Sequence, residues 1–391
     1  MIDVDVTHVL EADQPSLAGL IQFFKTLAIP DEGNHHERIG SLGAPEPPRT
    51  AEARSIIFND TSGQYDADED DADYEDGDCF LHSPLPPAVR FGVAEAVPAV
   101  AVDCGLSRLG ETQDAVLGAL RATMVVSNCN GHHVSLYRTG PLELRTADKP
   151  RVLHAIGLAM GRDDLFVELD RLDAANPRVV RVKPGAANHG QIYVDRLRNF
   201  LEKMVTMLAV EHCDGGVLII DGSTTLRTRD TPPEFLPRLA AQVHARGAAI
   251  VAVSKKSTLM IQNKPLQFWL DDVPRLPCYR HLSPSLSEER RARNLGETYV
   301  ARFSALGPCF RVDVCSPAGM TDNAVLNQFY ASCVREAAYP SGLAMAHAMS
   351  YFTSPDLMIL RAQAAAMFNL RPEQTLPFGE AVFGPFAGIW K

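Results

Sequence analysis

Residues 215–223 read GGVLIIDGS, and this stretch decides the fold. Val217 to Ile220 are four consecutive apolar residues bounded by glycines, the composition of a strand buried on both faces of its sheet. Asp221 falls where that strand runs out. Open α/β sheets bind ligands just beyond the carboxyl ends of their strands, and Gly222 lets backbone or ligand approach the carboxylate closely. Taken alone, Asp221 reads equally well as the cap of the next turn.

Outward from Asp221, the downstream pattern is a helix over about Pro233–Arg246 and a second buried strand over Ala248–Ser254. A strand, helix, strand order implies a right-handed crossover and parallel pairing. Lys255 and Lys256 then sit on the rim that carries Asp221. Upstream, Leu197, Phe200, Leu201, Met204 and Leu208 form one apolar stripe on a helix over about Gln191–Val210. Glu202 lies about 100° round from Leu201, on the shoulder of that stripe. Farther upstream, VPAVAVDCG (Val97–Gly105) repeats the design of an apolar run ending in an aspartate, here Asp103. After a turn around SRLGETQD come runs at Val116–Ser127 and His133–Arg138, separated by the hairpin signal Asn130-Gly131. Three strands joined by short turns predict an antiparallel meander. Two later runs, Thr298–Phe303 and Cys309–Val314, read as strands. Helices are expected over Asn323–Ala338, Ser341–Tyr351 and Pro355–Asn369, the second bearing His347 among small alanines.

The chain of 391 residues is 46% hydrophobic, enough for a large core without disulfides. Its eight cysteines include no C-x-x-C pair, which argues against a zinc ribbon; Cys79 and His82 have ligand-like spacing but no second pair. Neither a signal segment nor an apolar run of membrane-spanning length is evident, so a cytoplasmic location is expected. The net charge of −11 misleads about nucleic acid, because residues 66–78 (DADEDDADYEDGD) hold nine acids and −11 + 9 leaves −2 elsewhere. That run reads as a solvated, disordered segment. Residues 1–94 are expected to form an extension with one amphipathic helix (Ser16–Ala28), and 95–391 the main domain. Asn176–Lys183 reads as an extended arm with three basic residues. No G-x-G-x-x-G, Walker loop, G-x-S-x-G or H-E-x-x-H is present, which leaves nucleotide hydrolysis and serine hydrolase chemistry without a motif.

The succession of Asp103 strand, two further strands, Glu202 helix, Asp221 strand, helix and last strand resembles the ribonuclease H-like fold, a mixed five-stranded sheet flanked by helices, here with an N-terminal extension and C-terminal helices. AVDCGLSRLGE, VLIIDGS, VAVSKKS and YPSGLAMAHAMS are similar, in that order, to four motifs of the NurA nuclease family. The resemblance spans about residues 95–370. It implies that Asp103, Glu202, Asp221 and His347 bind metal and act in catalysis, with Lys255 beside them. Lys256, Arg108, Arg311 and Tyr339 are the further candidates for substrate contact. Cys104 stands where the family has glycine, which would crowd the site or offer it a thiol.

The resemblance also implies a metal-dependent deoxyribonuclease, a 5′ to 3′ exonuclease with single-strand endonuclease activity in end resection, working as a homodimer on a HerA-type hexameric translocase. Converging carboxylates give a physical reason for the metal. At about 4 Å a pair repels by roughly 4 kcal/mol at an effective dielectric of 20, which divalent cations relieve. Two Mn²⁺ or Mg²⁺ ions would hold the attacking water and the leaving oxygen in line, and a mixed carboxylate and imidazole set favours Mn²⁺. Two alternatives stay open: a DNA-binding scaffold subunit whose site is degraded at Cys104, and a nuclease of an anti-invader defence complex.

Overall fold

The computed structural model describes residues 54–58, 86–144, 164 and 189–372, apart from short breaks at 112–114, 129–130, 227–230, several positions between 256 and 274, and 334–337. The helix expected at Ser16–Ala28, the acidic run, the Cys79/His82 pair, the arm at Asn176–Lys183 and Lys256 lie outside these residues.

In chain order the strands are β1 (Arg54–Phe58), β2 (Val89–Arg90), β3 (Ala99–Glu111), β4 (Val116–Asn128) and β5 (Gly131–Leu144). Then come α1 (His189–Ala209), β6 (Val217–Asp221), α2 (Phe235–Ala245), β7 (Ala249–Ser254) and the small hairpin β8 (Met260–Ile261) and β9 (Lys264–Pro265). The remainder is β10 (Cys278–His281), α3 (Glu288–Ala292), β11 (Glu297–Arg302), β12 (Cys309–Cys315), α4 (Asp322–Cys333), α5 (Ser341–Ser350), α6 (Ser354–Met367) and β13 (Leu370–Pro372).

Five strands lie in the order β5–β4–β3–β6–β7, with β4 antiparallel to its neighbours and β6 and β7 parallel to β3. This is the mixed ribonuclease H-like arrangement expected from the sequence. The sheet does not stop there. β12, β11, β10 and β2 continue it beyond β7 by antiparallel pairing, and β1 and β13 flank the far end of β3, giving eleven strands among the described residues. The expected five strands thus form the core of a larger sheet. Apolar residues on β11 and β12 are fully buried on the two faces of this extension, Val312 and Val314 in one core with Val325, Leu326 and Phe329, and Val300 in another with Leu266, Leu270 and Leu286. Strands β1 and β2 also cross the expected boundary at residue 94, since both are hydrogen-bonded into this sheet. Strand β3 runs through Ser107–Glu111, the first five residues of SRLGETQD, paired with β4, so the connection to β4 comes only after Glu111.

Alternation along the strands divides the core in two. Val100, Val102, Cys104, Leu218 and Ile250 face α1 and α2, where the apolar stripe of α1 packs with Phe235, Leu239 and Val243. Ala99, Ala101, Val217, Ile219, Val251 and Val253 face the other way, against Val325, Leu326 and Phe329 of α4 and Leu343 of α5. Burying five large α1 side chains at about 1.5–3 kcal/mol each gives the helix its place. Consequently the ends of β3 and β6 are fixed between two helical layers, and any polar residue there is held by packing on both sides.

Candidate active site

Strands β3 and β6 are parallel with Val102 opposite Ile220, so the next residues, Asp103 and Asp221, are lateral neighbours. Adjacent strands lie about 4.8 Å apart and paired residues point to one face, here the face covered by α5. At Gly222 the backbone takes φ 108, a left-handed conformation that glycine adopts without strain, and the chain leaves the sheet immediately after Asp221.

Asp103 is 3% exposed. Its Oδ2 accepts a hydrogen bond from Ser350 Oγ at 2.6 Å and lies 3.1 Å from His347 Nδ1, which donates to it when that nitrogen carries the proton. Burial alone would raise the Asp103 pKa; the bonds to His347 and Ser350 and the charge of Arg198 outweigh it and bring the pKa down to about 2. His347 is displaced in the complementary sense, its pKa raised by the hydrogen bond to Asp103 against burial and the charge of Lys255.

Asp221 is held from the C-terminal end of β7. Lys255 Nζ donates to Asp221 Oδ2 at 2.6 Å, Tyr339 Oη donates to Oδ1 at 3.4 Å, and the ammonium lies 5.6 Å from the centroid of the Tyr339 ring. Asp221 pairs with Val253, so Lys255, two residues on, returns to the same face.

Glu202 comes from α1, on the opposite face. Burial pushes its pKa up to about 7, the two aspartates adding to the rise and Arg198 opposing it. Arg198, one turn earlier, has Nη2 3.5 Å from Glu202 Oε2, and its Nε donates to the Cys104 carbonyl at 2.6 Å. Glu202 therefore senses both aspartates while reaching the rim from behind the strands. Cys104 neither crowds the rim nor offers a thiol to it. One residue after Asp103, its side chain points into the α1 core, 1% exposed, and burial holds the thiol pKa well above its ordinary value.

The other expected residues separate. Tyr339 reaches the site through Asp221. Arg108 is half-buried on the part of β3 that runs past β6, about 17 Å along the strand from Asp103. Arg311 is corrected from a substrate ligand to an interior residue. At 1% exposure it pairs with the equally buried Asp313 at 3.0 Å and donates to Thr225 and Asn294. Asp313 in turn accepts from Thr224 N at 3.0 Å and Thr298 Oγ1 at 2.9 Å. The pair anchors the loop that follows Asp221. Two residues at the rim were missed: Arg198, marked only by its spacing of four from Glu202, and Ser350, the last residue of the motif that ends in HAMS.

Among the described residues no group of three or more His, Cys, Asp or Glu side chains is spaced to hold a metal ion directly. Lys255 and Tyr339 occupy Asp221, and Ser350 and His347 share one oxygen of Asp103. No helix among the described residues is long and apolar enough to cross a membrane.

No family model matches the chain, and no curated protein matches it. Among solved structures it is similar to the NurA nuclease from Sulfolobus solfataricus, at 13% identity and a TM-score of 0.44, over 74% of this chain and 89% of that one. It is similar to a NurA bound to dAMP and manganese at 8% identity and a TM-score of 0.38, over 73% of this chain and 91% of that one. Argonaute from A. aeolicus also aligns, at 11% identity and a TM-score of 0.27, covering 70% of this chain and 30% of that one. At these identities the activity has to be argued from the residues of the rim.

Proposed function

We propose that the chain is a divalent-metal-dependent deoxyribonuclease whose site is the rim formed by Asp103 and Asp221. The observation that carries the reading is the lateral pairing of these two carboxylates on one face, with His347 and Lys255 in direct contact with them. Two carboxylates one strand spacing apart repel by several kcal/mol unless a cation intervenes. In this chain Lys255 and His347 supply that charge, and Glu202 keeps a proton up to about pH 7.

The donor types suit a divalent ion, although the described side chains are not spaced to hold one directly. Asp103 Oδ1 takes no hydrogen bond from the described residues, and hard carboxylate oxygens with one imidazole suit Mn²⁺ or Mg²⁺. Asp103, Asp221, Glu202 and His347 are the proposed ligands, for two ions. When bound, such ions supply an activated water and neutralise charge on the phosphodiester. The chain's own groups do the rest. Lys255, released from Asp221, neutralises a non-bridging phosphate oxygen, and Tyr339 stacks beside it. His347 has two alternative roles: it would ligate through Nε2 with its Nδ1 proton kept on Asp103, or, unligated, it would handle a proton. Lys256, the residue after Lys255, stays a proposed phosphate contact on sequence grounds alone.

The finer parts of the proposal come from the family resemblance: 5′ to 3′ exonuclease and single-strand endonuclease action in end resection, a homodimer, a HerA-type hexameric partner and a cytoplasmic location. The scaffold alternative rests on Cys104 and on shielding of the groove by the acidic run; the buried Cys104 thiol speaks against the first ground, and the second lies outside the described residues. Cleavage of end-labelled single-stranded DNA in Mn²⁺, with and without EDTA, tests the reading. EDTA-sensitive cleavage that Asp103→Ala and Asp221→Ala abolish is expected, and full activity in either folded variant would remove the proposal.

A further inference from the structure

We propose that Ser350, the last residue of α5, is a positioning residue that fixes the orientation in which Asp103 meets a divalent cation. This rests on the metal-dependent reading above. Ser350 is completely buried, and its Oγ donates to Asp103 Oδ2 at 2.6 Å, closer than the 3.1 Å of His347 Nδ1. The same hydroxyl lies 3.1 Å from the His347 carbonyl in its own helix, so the shorter contact goes to the carboxylate. Both donors to Asp103 converge on one oxygen. Rotation of the carboxylate would break a buried hydrogen bond, and Oδ1 is the oxygen turned to a cation.

Ser350 is itself held by β3 and β4. Gly105 follows Asp103 by two residues and shares its face; a Cβ there would lie 2.0 Å from the Ser350 carbonyl oxygen. The end of α5 can therefore sit against β3 only where the strand has no side chain. Arg121 is the cross-strand partner of Gly105. Its Nη1 donates to the Tyr351 carbonyl at 2.7 Å, and its guanidinium lies 4.4 Å over the Phe352 ring. The backbone is held at Ser350 by the close approach of Gly105 and just after it by Arg121, which makes its hydroxyl a fixed donor.

The test compares Ser350→Ala and Ser350→Thr with wild type in the full chain, measuring Mn²⁺ affinity by electron paramagnetic resonance and unfolding in EDTA by urea. Ser350→Ala should unfold cooperatively yet bind Mn²⁺ about 10- to 100-fold more weakly, the usual effect of removing a partner that orients a metal ligand. Ser350→Thr, which keeps the hydroxyl, should restore most of the affinity. Undiminished affinity in Ser350→Ala, or equal loss in a stably folded Ser350→Thr, would overturn the proposal. Should Ser350→Ala fail to fold, Ser350→Cys carries the test: a nearly isosteric weak donor should weaken Mn²⁺ binding, and unchanged binding overturns the role. Wild-type protein that neither binds Mn²⁺ nor cleaves DNA would overturn the nuclease reading and this proposal together.

Discussion

Replacing Glu202 by glutamine should stabilise the cation-free protein at alkaline pH and leave it nearly unchanged in mild acid. The Glu202 carboxyl rises from an ordinary 4.5 to about 7 in the fold. Between those values the folded chain binds a proton that the unfolded chain has lost, so stability falls as pH rises through the window. At 1.36 kcal/mol per pH unit the full displacement corresponds to about 3 kcal/mol. The side chain keeps 20% exposure, and water relaxing around it lowers the expected effect to about 1–3 kcal/mol. Urea denaturation in EDTA at pH 5 and pH 8 measures it, with the wild-type minus variant difference isolating this one group. Glutamine keeps the length and the polar contacts, so at pH 5 the two proteins should agree. A Gln variant less stable than wild type at pH 8, or a difference that does not change with pH, would refute the idea that Glu202 is held against the charge of the two aspartates.

Asp103 titrates with the opposite sign. With its pKa lowered from 3.8 to about 2, it contributes about 2 kcal/mol that is present above pH 4 and lost as pH falls toward 2; Asp103→Asn should lack this acid limb in denaturation between pH 5 and pH 3. Asp313→Ala leaves Arg311, 1% exposed, as an uncompensated buried charge and should destabilise by about 3–5 kcal/mol in urea denaturation, whereas a loss below 1 kcal/mol would show that the pair does not anchor the loop. Gly105→Ala places a methyl 2.0 Å from the Ser350 carbonyl oxygen, so α5 must move. A drop in thermal midpoint is expected together with loss of cleavage, and a variant with wild-type values in both would show that this close approach is not needed.

The central strand order was legible because each element carried its own period. β6 and β7 are short apolar runs bounded by glycine or charge, the meander is marked by Asn130-Gly131, and α1 shows five apolar residues at helical spacing. Alternation alone puts Cys104 opposite Asp103, a signal that the expectation of a crowding or ligating thiol passed over. Arg311 was not legible. A charged residue in a strand reads as an edge or a surface, and what buries this one is Asp313 two residues later on the same face, with Thr225 and Asn294 arriving from distant loops. The sheet beyond β7 was hidden for a similar reason: β10 has four residues and β2 two, lengths that acquire meaning only through their partners. Ser350 has no pattern of its own, and its role follows from the fit of a helix end against Gly105.

The most direct measurement of whether Asp103 and Asp221 share a cation is an anomalous-difference map from crystals soaked in Mn²⁺. The account predicts a peak within coordination distance of both carboxylates, about 2.2 Å, with Lys255 displaced from Asp221. Mn²⁺-dependent cleavage in solution combined with a peak elsewhere on the chain, or Asp221 still paired to Lys255 in the soaked crystal, would contradict it.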